Sequence, residues 1–168
     1  MNMINEPITP FVFADLYKNS LTIIENNIES KDEQNNLLIY LGENKKHIII
    51  LVEEENALHL EEDSYTFLLS ILTACKLNMA DIAIVNSTKQ TVTYSTIKQQ
   101  LLPTICIAFG NVCKNIQLPF QINLFEPYSF DNTVWLQSSA LNLMKPNTQE
   151  AKIEKSKLWI CLKQMLHI

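Results

Sequence analysis

The stretch HIIILVEEENALHLEEDSYTFLLSILTACKLNMADIAIVNSTKQTVTYSTIKQQLLPTICIAFG, residues 47–110, decides the fold. Three apolar runs of strand length, HIIILV (47–52), ADIAIVN (80–86) and PTICIAFG (103–110), are separated by two helical patterns, SYTFLLSILTACK (64–76) and YSTIKQQLL (94–102). Strands alternating with helices are the pattern of βαβ units around a parallel sheet. The run Ile48–Val52 is apolar at every position, as expected of a strand covered on both faces. The first helical pattern is apolar nearly all round, from Tyr65 to Cys75, which predicts a buried or covered helix. Asp63 or Ser64 is its expected N-cap, with Glu61, Glu62 and Asp63 complementing the positive helix end. Pro103 stops the second helix.

On the amino-terminal side, Leu37–Leu41 reads as a short strand. The turn GENKK (42–46) joins it to His47–Val52, which predicts an antiparallel hairpin, since Gly42 and Asn44 accept positive φ. Residues 1–36 read as an arm plus one helix. Pro7 and Pro10 keep the start extended. From Phe11 the residues Val12, Phe13, Leu16, Tyr17, Leu21 and Ile24 have near-helical spacing. Such a stripe either packs on the domain or docks in a partner's groove.

On the carboxyl side, NVCKNIQLP (111–119) reads as a connection and Phe120–Phe125 as a last strand at a sheet edge. Pro127–Asp131 reads as loop and Trp135–Met144 as a short helix. Asn147 is the expected cap of a final helix, with Glu150 completing a capping box. In that helix Leu158, Trp159, Leu162, Met165 and Leu166 form one stripe, and Trp135 and Trp159 are expected core anchors. No repeat or low-complexity tract interrupts the chain. Residues 37–168 are expected to form a single α/β domain.

Composition narrows the function classes. The 168 residues are 47% hydrophobic, enough for a domain with a real core. No apolar run approaches the ~18 residues needed to span a bilayer. No basic-then-apolar leader opens the chain, so a cytoplasmic protein is the expectation. The net charge is -5, and all 13 basic residues are lysine. Without arginine, whose planar fork grips phosphates and guanine edges, tight direct DNA binding is disfavoured. The two glycines, Gly42 and Gly110, exclude a P-loop and a dinucleotide fingerprint, both of which need clustered glycines. Cys75, Cys106, Cys113 and Cys161 sit among apolar neighbours and read as small buried hydrophobes.

Chemistry-bearing motifs are sparse. There is no C-x-x-C and no H-E-x-x-H. His59-Leu60-Glu61 matches half of a zinc-deaminase signature and lacks the other half, so His59 reads as a loop histidine. No G-x-S-x-G marks a nucleophile elbow. Glu53, Glu54 and Glu55 follow a buried strand, at the end where ligands bind in open α/β sheets. One of them could activate water; the plainer reading is a solvated loop.

The helix FLLSILTACKL followed by NMADIAIVNSTKQTVTYSTIKQQLLPTICIAFGN resembles the central part of uracil-DNA glycosylases. In that superfamily a helix leads into a strand ending in Thr-Asn or similar, then a helix, then a Pro-led strand ending in Leu-Gly. Ala80–Asn86 and Pro103–Gly110 match the pattern. The resemblance implies a three-layer α/β/α sandwich with a central, mostly parallel sheet. The superfamily's catalytic parts do not match. Val52, Glu53, Glu54, Glu55 and Asn56 occupy the position of its Gly- and Pro-containing loop, and the late histidine, His167, lies at the chain end.

The chain is more similar to the psi subunits of bacterial DNA polymerase III, which keep this sheet without the enzyme motifs. LLIYLGENKKHIIILVEEEN looks like their opening hairpin, and ALNLMKPNTQEAKIEKSKLWICLKQM resembles their closing Leu-Trp helix, with Pro146-Asn147 in reversed order. This resemblance implies a non-enzymatic replisome accessory protein. It would bridge the clamp loader to another replication protein, such as a chi-like one, and would reach nucleic acid only indirectly. By analogy, Phe11, Phe13, Leu16 and Tyr17 contact the clamp loader. No cofactor, metal or membrane is expected. The rival readings are a divergent glycosylase using Glu53, Glu54 or Glu55 with Asn86 nearby, and an α/β protein with an unrelated small ligand.

Overall fold

A computed structural model of the chain describes residues 37–168. The expected arm and helix over residues 1–36 lie outside the described residues, and with them Phe11, Phe13, Leu16 and Tyr17. Six strands form one sheet: β1 (Leu41–Gly42), β2 (Ile48–Val52), β3 (Ile82–Asn86), β4 (Ile105–Phe109), β5 (Tyr128–Phe130) and β6 (Thr133–Ser138). The described helices are α1 (Glu62–Ala74), α2 (Tyr94–Leu101), α3 (Val112–Asn115), α4 (Leu141–Met144) and α5 (Gln149–Leu166). The sheet order is β1-β3-β2-β4-β6-β5. The inner strands β3, β2, β4 and β6 are parallel, and the edge strands β1 and β5 are antiparallel to their neighbours. The chain is thus mixed α/β with a mostly parallel sheet.

The three apolar runs of residues 47–110 became the strands they were expected to be. Side chains alternate faces along a strand. Ile48, Ile50, Val52, Ile82, Ile84, Ile107, Phe109 and Leu136 face one cluster, which gathers buried residues from α1, α4 and α5. Ile49, Leu51, Ala83, Val85, Cys106, Ala108 and Trp135 face another, shared with α2 and α3. Both faces are therefore covered, which is why these strands show no polar alternation. All four cysteines are free and buried, as expected.

Helix ends follow local chemistry. Thr93 caps α2 in a reciprocal capping box with Thr96, and Leu102 closes it in the left-handed region before Pro103. The first helix begins at Glu62, ahead of the expected caps, so Asp63 and Ser64 lie in its first turn. Thr148 caps α5, one residue beyond the expected Asn147, by accepting a bond from the Ala151 N–H.

Several expectations are corrected. The opening hairpin does not form: Leu41 and Gly42 pair with Ile84 and Ala83 of β3, not with β2. Both edges of β2 are taken by parallel partners, so β1 has no place beside it. Instead the turn binds the start of β3, with N–H groups of Asn44, Lys45 and Lys46 donating to the carbonyls of Ile82, Ala80 and Asp81. Gly42 permits this passage, since it sits at φ +116° and an added Cβ would meet the Ile82 carbonyl oxygen at 2.2 Å.

Phe120–Phe125 is not a strand. Only Leu124 makes an isolated bridge, to Gln137, and Phe125 turns at φ 59°. Phe120 packs into an aromatic group with Tyr94, Phe130 and Trp135, its ring 4.5 Å from that of Phe130. The edge strand is β5, inside the segment 127–131 expected to be loop. Trp135–Met144 is not one helix either: Trp135 lies inside β6 with no exposed surface, and only Leu141–Met144 is helical. Trp135 is a core anchor; Trp159 is not, being 37% exposed beside the buried stripe of Leu158, Cys161, Leu162 and Met165.

Candidate functional site

The connection after β2 leads to α1 on one face of the sheet, and the connection after β4 leads to α3 on the other. The adjacent carboxyl ends of β2 and β4 are therefore a topological switch point, the place where open α/β sheets form a crevice. A cavity of about 220 Å³ opens there. Val52, Phe109 and Leu141 give it an apolar floor, and Glu53, Glu54, Asn56, Glu61, Ser64 and Asn142 bring polar groups to it.

The polar groups at this end of the sheet are largely spent on architecture. Glu53 reaches from the end of β2 to the end of β4. Its carboxylate accepts bonds from the Asn111 N–H at 3.1 Å and from Asn115 Nδ2 at 2.9 Å. Gly110, at φ +90°, allows this approach, since a Cβ there would lie 3.1 Å from Glu53 Oε2. Gln137 Nε2 donates to the Gly110 carbonyl at 3.0 Å, tying β6 to the same corner.

Asn86 closes β3 and is only 1% exposed. Its amide nitrogen donates to the carbonyls of Glu54 (2.7 Å), Ala57 (3.1 Å) and Leu58 (3.2 Å). Its amide oxygen accepts from the N–H groups of Glu54 and Thr88, both at 3.1 Å. That uses the donor and acceptor capacity of a carboxamide. Asn86 is the clamp of the 53–58 loop: it lies beside Glu54, as the rival reading places it, and its carboxamide is spent on backbone. Ser87 adds to the clamp through two bonds to the Val52 carbonyl, and Lys89 Nζ binds the Glu55 carbonyl.

The other carboxylates divide. Glu61 accepts a bond from Asn56 Nδ2 at 3.0 Å. Glu54 lines the cavity, and its carboxylate makes no hydrogen bond or ion pair among the described residues. It is the one carboxylate of the 53–55 group that both faces the cavity and is uncommitted. The acidic loop is therefore clamped through its backbone, while Glu53 and Glu55 remain exposed, as the plainer reading expects. Ser64, buried in the first turn of α1, accepts a bond from Lys145 Nζ at 3.2 Å.

Neither the histidines nor the thiols add chemistry to the crevice. His59 is half-buried in the loop before α1, and His167 ends α5 exposed. Burial holds the Cys106 thiol well above its usual pKa. Burial, with the Glu53 charge behind it, pushes Cys113 up to about 12. Both thiols stay protonated and unreactive at neutral pH. Among the described residues no group of three or more His, Cys, Asp or Glu side chains is placed to hold a metal ion. No described helix is long and apolar enough to cross a membrane.

Sequence reasoning did not single out Asn111, Asn115, Asn142 or Lys145. Their roles depend on partners far along the chain. Gly110 did carry a signal, as one of two glycines placed at the end of a buried strand. No protein-family model matches the chain, and no curated protein matches it.

Proposed function

We propose that the chain is a non-enzymatic binding module built on a uracil-DNA-glycosylase-like framework, similar to the psi subunits of DNA polymerase III. It would act as a replisome accessory protein that bridges the clamp loader to another replication protein. The framework is read as a three-layer α/β/α sandwich. The coverage of both sheet faces by separate sets of helices supports this reading.

One observation carries the proposal: most polar side chains at the strand ends, Glu54 excepted, are consumed in holding the sheet together. Asn86 spends its whole carboxamide on backbone, and Glu53 is latched to Asn111 and Asn115. Flipping and cleaving a base needs a pocket with donors free for the extruded base and a poised histidine. His167 does not line this crevice. The all-lysine basic set supports contact with nucleic acid through partners rather than directly. Phe11, Phe13, Leu16 and Tyr17 are proposed to meet the clamp loader. Co-purification of the full chain with clamp-loader subunits tests this. Retention at micromolar protein that is lost in a Phe13→Ala/Leu16→Ala chain is expected, and the absence of any interaction overturns the proposal.

A second reading draws on the uncommitted Glu54 in the cavity. A divergent glycosylase would use this carboxylate to activate water. It predicts uracil release from single-stranded DNA that disappears in Glu54→Ala, and the binding-module reading predicts no release from either protein.

A further inference from the structure

We propose that the groove between α1 and α5 is a docking site for an amphipathic helix of a partner protein that carries acidic residues beside its apolar stripe. This inference does not depend on the replication reading. Phe67, Ile71 and Ala74 of α1 face Leu158, Trp159 and Leu162 of α5 across an open apolar groove of about 250 Å³. An apolar cavity of about 150 Å³ already holds a benzene ring. The groove therefore has room for one aromatic or two aliphatic side chains. From Phe67 to Ala74 is two helical turns, roughly 10 Å at 1.5 Å per residue. That length matches the i, i+3, i+4, i+7 anchors of a docked helix.

Charge selects the partner. The chain as a whole is acidic, at -5. Along the groove itself the charges are lysines, with Glu62 and Asp63 standing before Phe67 and Glu154 before Lys155. Between Thr66 and Lys76 the one charged residue is Lys76, and between Lys155 and Leu166 the charged residues are Lys155, Lys157 and Lys163. Two of these lie at the groove itself. Lys155 Nζ is 5.5 Å from the Phe67 ring centroid, and Lys163 Nζ is 5.9 Å from that of Trp159. Each ammonium rests on an aromatic face, Lys155 half-buried and Lys163 exposed. A glutamate on an incoming helix can reach it while the leucines beside it enter the groove. The same lysines disfavour a second copy of this chain as occupant. A two-fold pairing of α5 against α5 sets like charges together.

The test uses the full chain and two short helical peptides that share one leucine stripe, flanked by glutamates in one and by lysines in the other. Fluorescence anisotropy reads binding. The acidic peptide is expected to bind about tenfold tighter at low salt, with the preference fading as salt screens the rim. Trp159→Ala should weaken the acidic peptide by roughly tenfold, as loss of a central aromatic anchor does. Lys155→Glu/Lys163→Glu should reverse the preference with the far-UV circular dichroism unchanged. Equal affinity for the two peptides, or no binding of either at about millimolar concentration, overturns the proposal. Binding indifferent to both variants places the peptide elsewhere and overturns it too. So does a dimer in sedimentation that Trp159→Ala dissociates, since a second copy is then the occupant.

Discussion

The crevice at the carboxyl ends of β2 and β4 and the groove between α1 and α5 are similar in size, about 220 and 250 Å³, and opposite in character. In the crevice, polar side chains are abundant and, Glu54 apart, largely bonded to the protein itself. Asn86, Glu53, Glu61 and Ser64 each hold another part of the chain. In the groove, apolar side chains are abundant and partly open: Trp159 is 37% exposed, and Phe67 and Ile71 are half-buried, over a floor of buried Leu158 and Leu162. Folding a polar rim this tightly costs conformational entropy and returns rigidity. Leaving aromatic surface open costs hydration and returns a place to bind. On the proposed reading, the contrast puts architecture at the end of the sheet where α/β enzymes keep their chemistry, and binding on the helical flank.

The two tryptophans give the widest test of that contrast. Trp135→Ala should destabilise the chain by about 4 kcal/mol, the usual cost of removing a fully buried aromatic. Trp159→Ala should cost less, about 2 kcal/mol, since over a third of its surface is already exposed. Urea denaturation of both proteins reads the difference. Similar costs would mean that the groove is part of the core.

Asn86→Ala comes next. It leaves buried carbonyls and N–H groups of the 53–58 loop without partners, at about 3 kcal/mol. A much smaller loss would show that the loop does not need its clamp. Glu53→Ala follows, at about 1 kcal/mol for two bonds to a carboxylate on a partly open surface. Chemical denaturation checks both, and the order Asn86 above Glu53 is part of the prediction.

The smallest effect is in acid. The buried residue Asp81 has its carboxyl held below the usual 3.8, first by the Asn78 N–H and then by Lys46. The folded chain therefore keeps the carboxylate at a pH where the unfolded chain has begun to protonate it. The contribution is fully present above the unfolded value near 3.8 and is lost as pH falls through the lower folded value. Asp81→Asn should flatten the decline of stability below about pH 4 and leave its dependence at neutral pH unchanged.

Residues 47–110 were legible because each buried strand there is a solid apolar run bounded by a turn or a proline. The same logic failed after Gly110. Thr133–Ser138 carries buried Trp135 and Leu136 side by side, one for each face, so it shows no period of two. Leu141 and Met144, which follow at helical spacing, drew the whole segment into one stripe. A usable signal was present and missed. Asp131 and Asn132 both adopt positive φ, 48° and 59°, between β5 and β6. Asp-Asn between two runs with aromatic and β-branched residues is the chemistry of a two-residue hairpin turn. The position of β1 was not legible, because the choice of β3 over β2 depends on which strand still has a free edge. Nor was the role of Asn86 legible: its bonds span 28 to 32 residues. No local pattern separates a clamp from a catalytic amide.

The claim that the crevice serves the fold rather than a substrate is tested most directly by following the amide resonances of Glu54, Asn56 and Asn142 while a uracil-bearing single strand is titrated into the full chain. The account predicts that these three signals stay in place up to about millimolar DNA. Saturable shifts at all three, absent in Glu54→Ala, would contradict it.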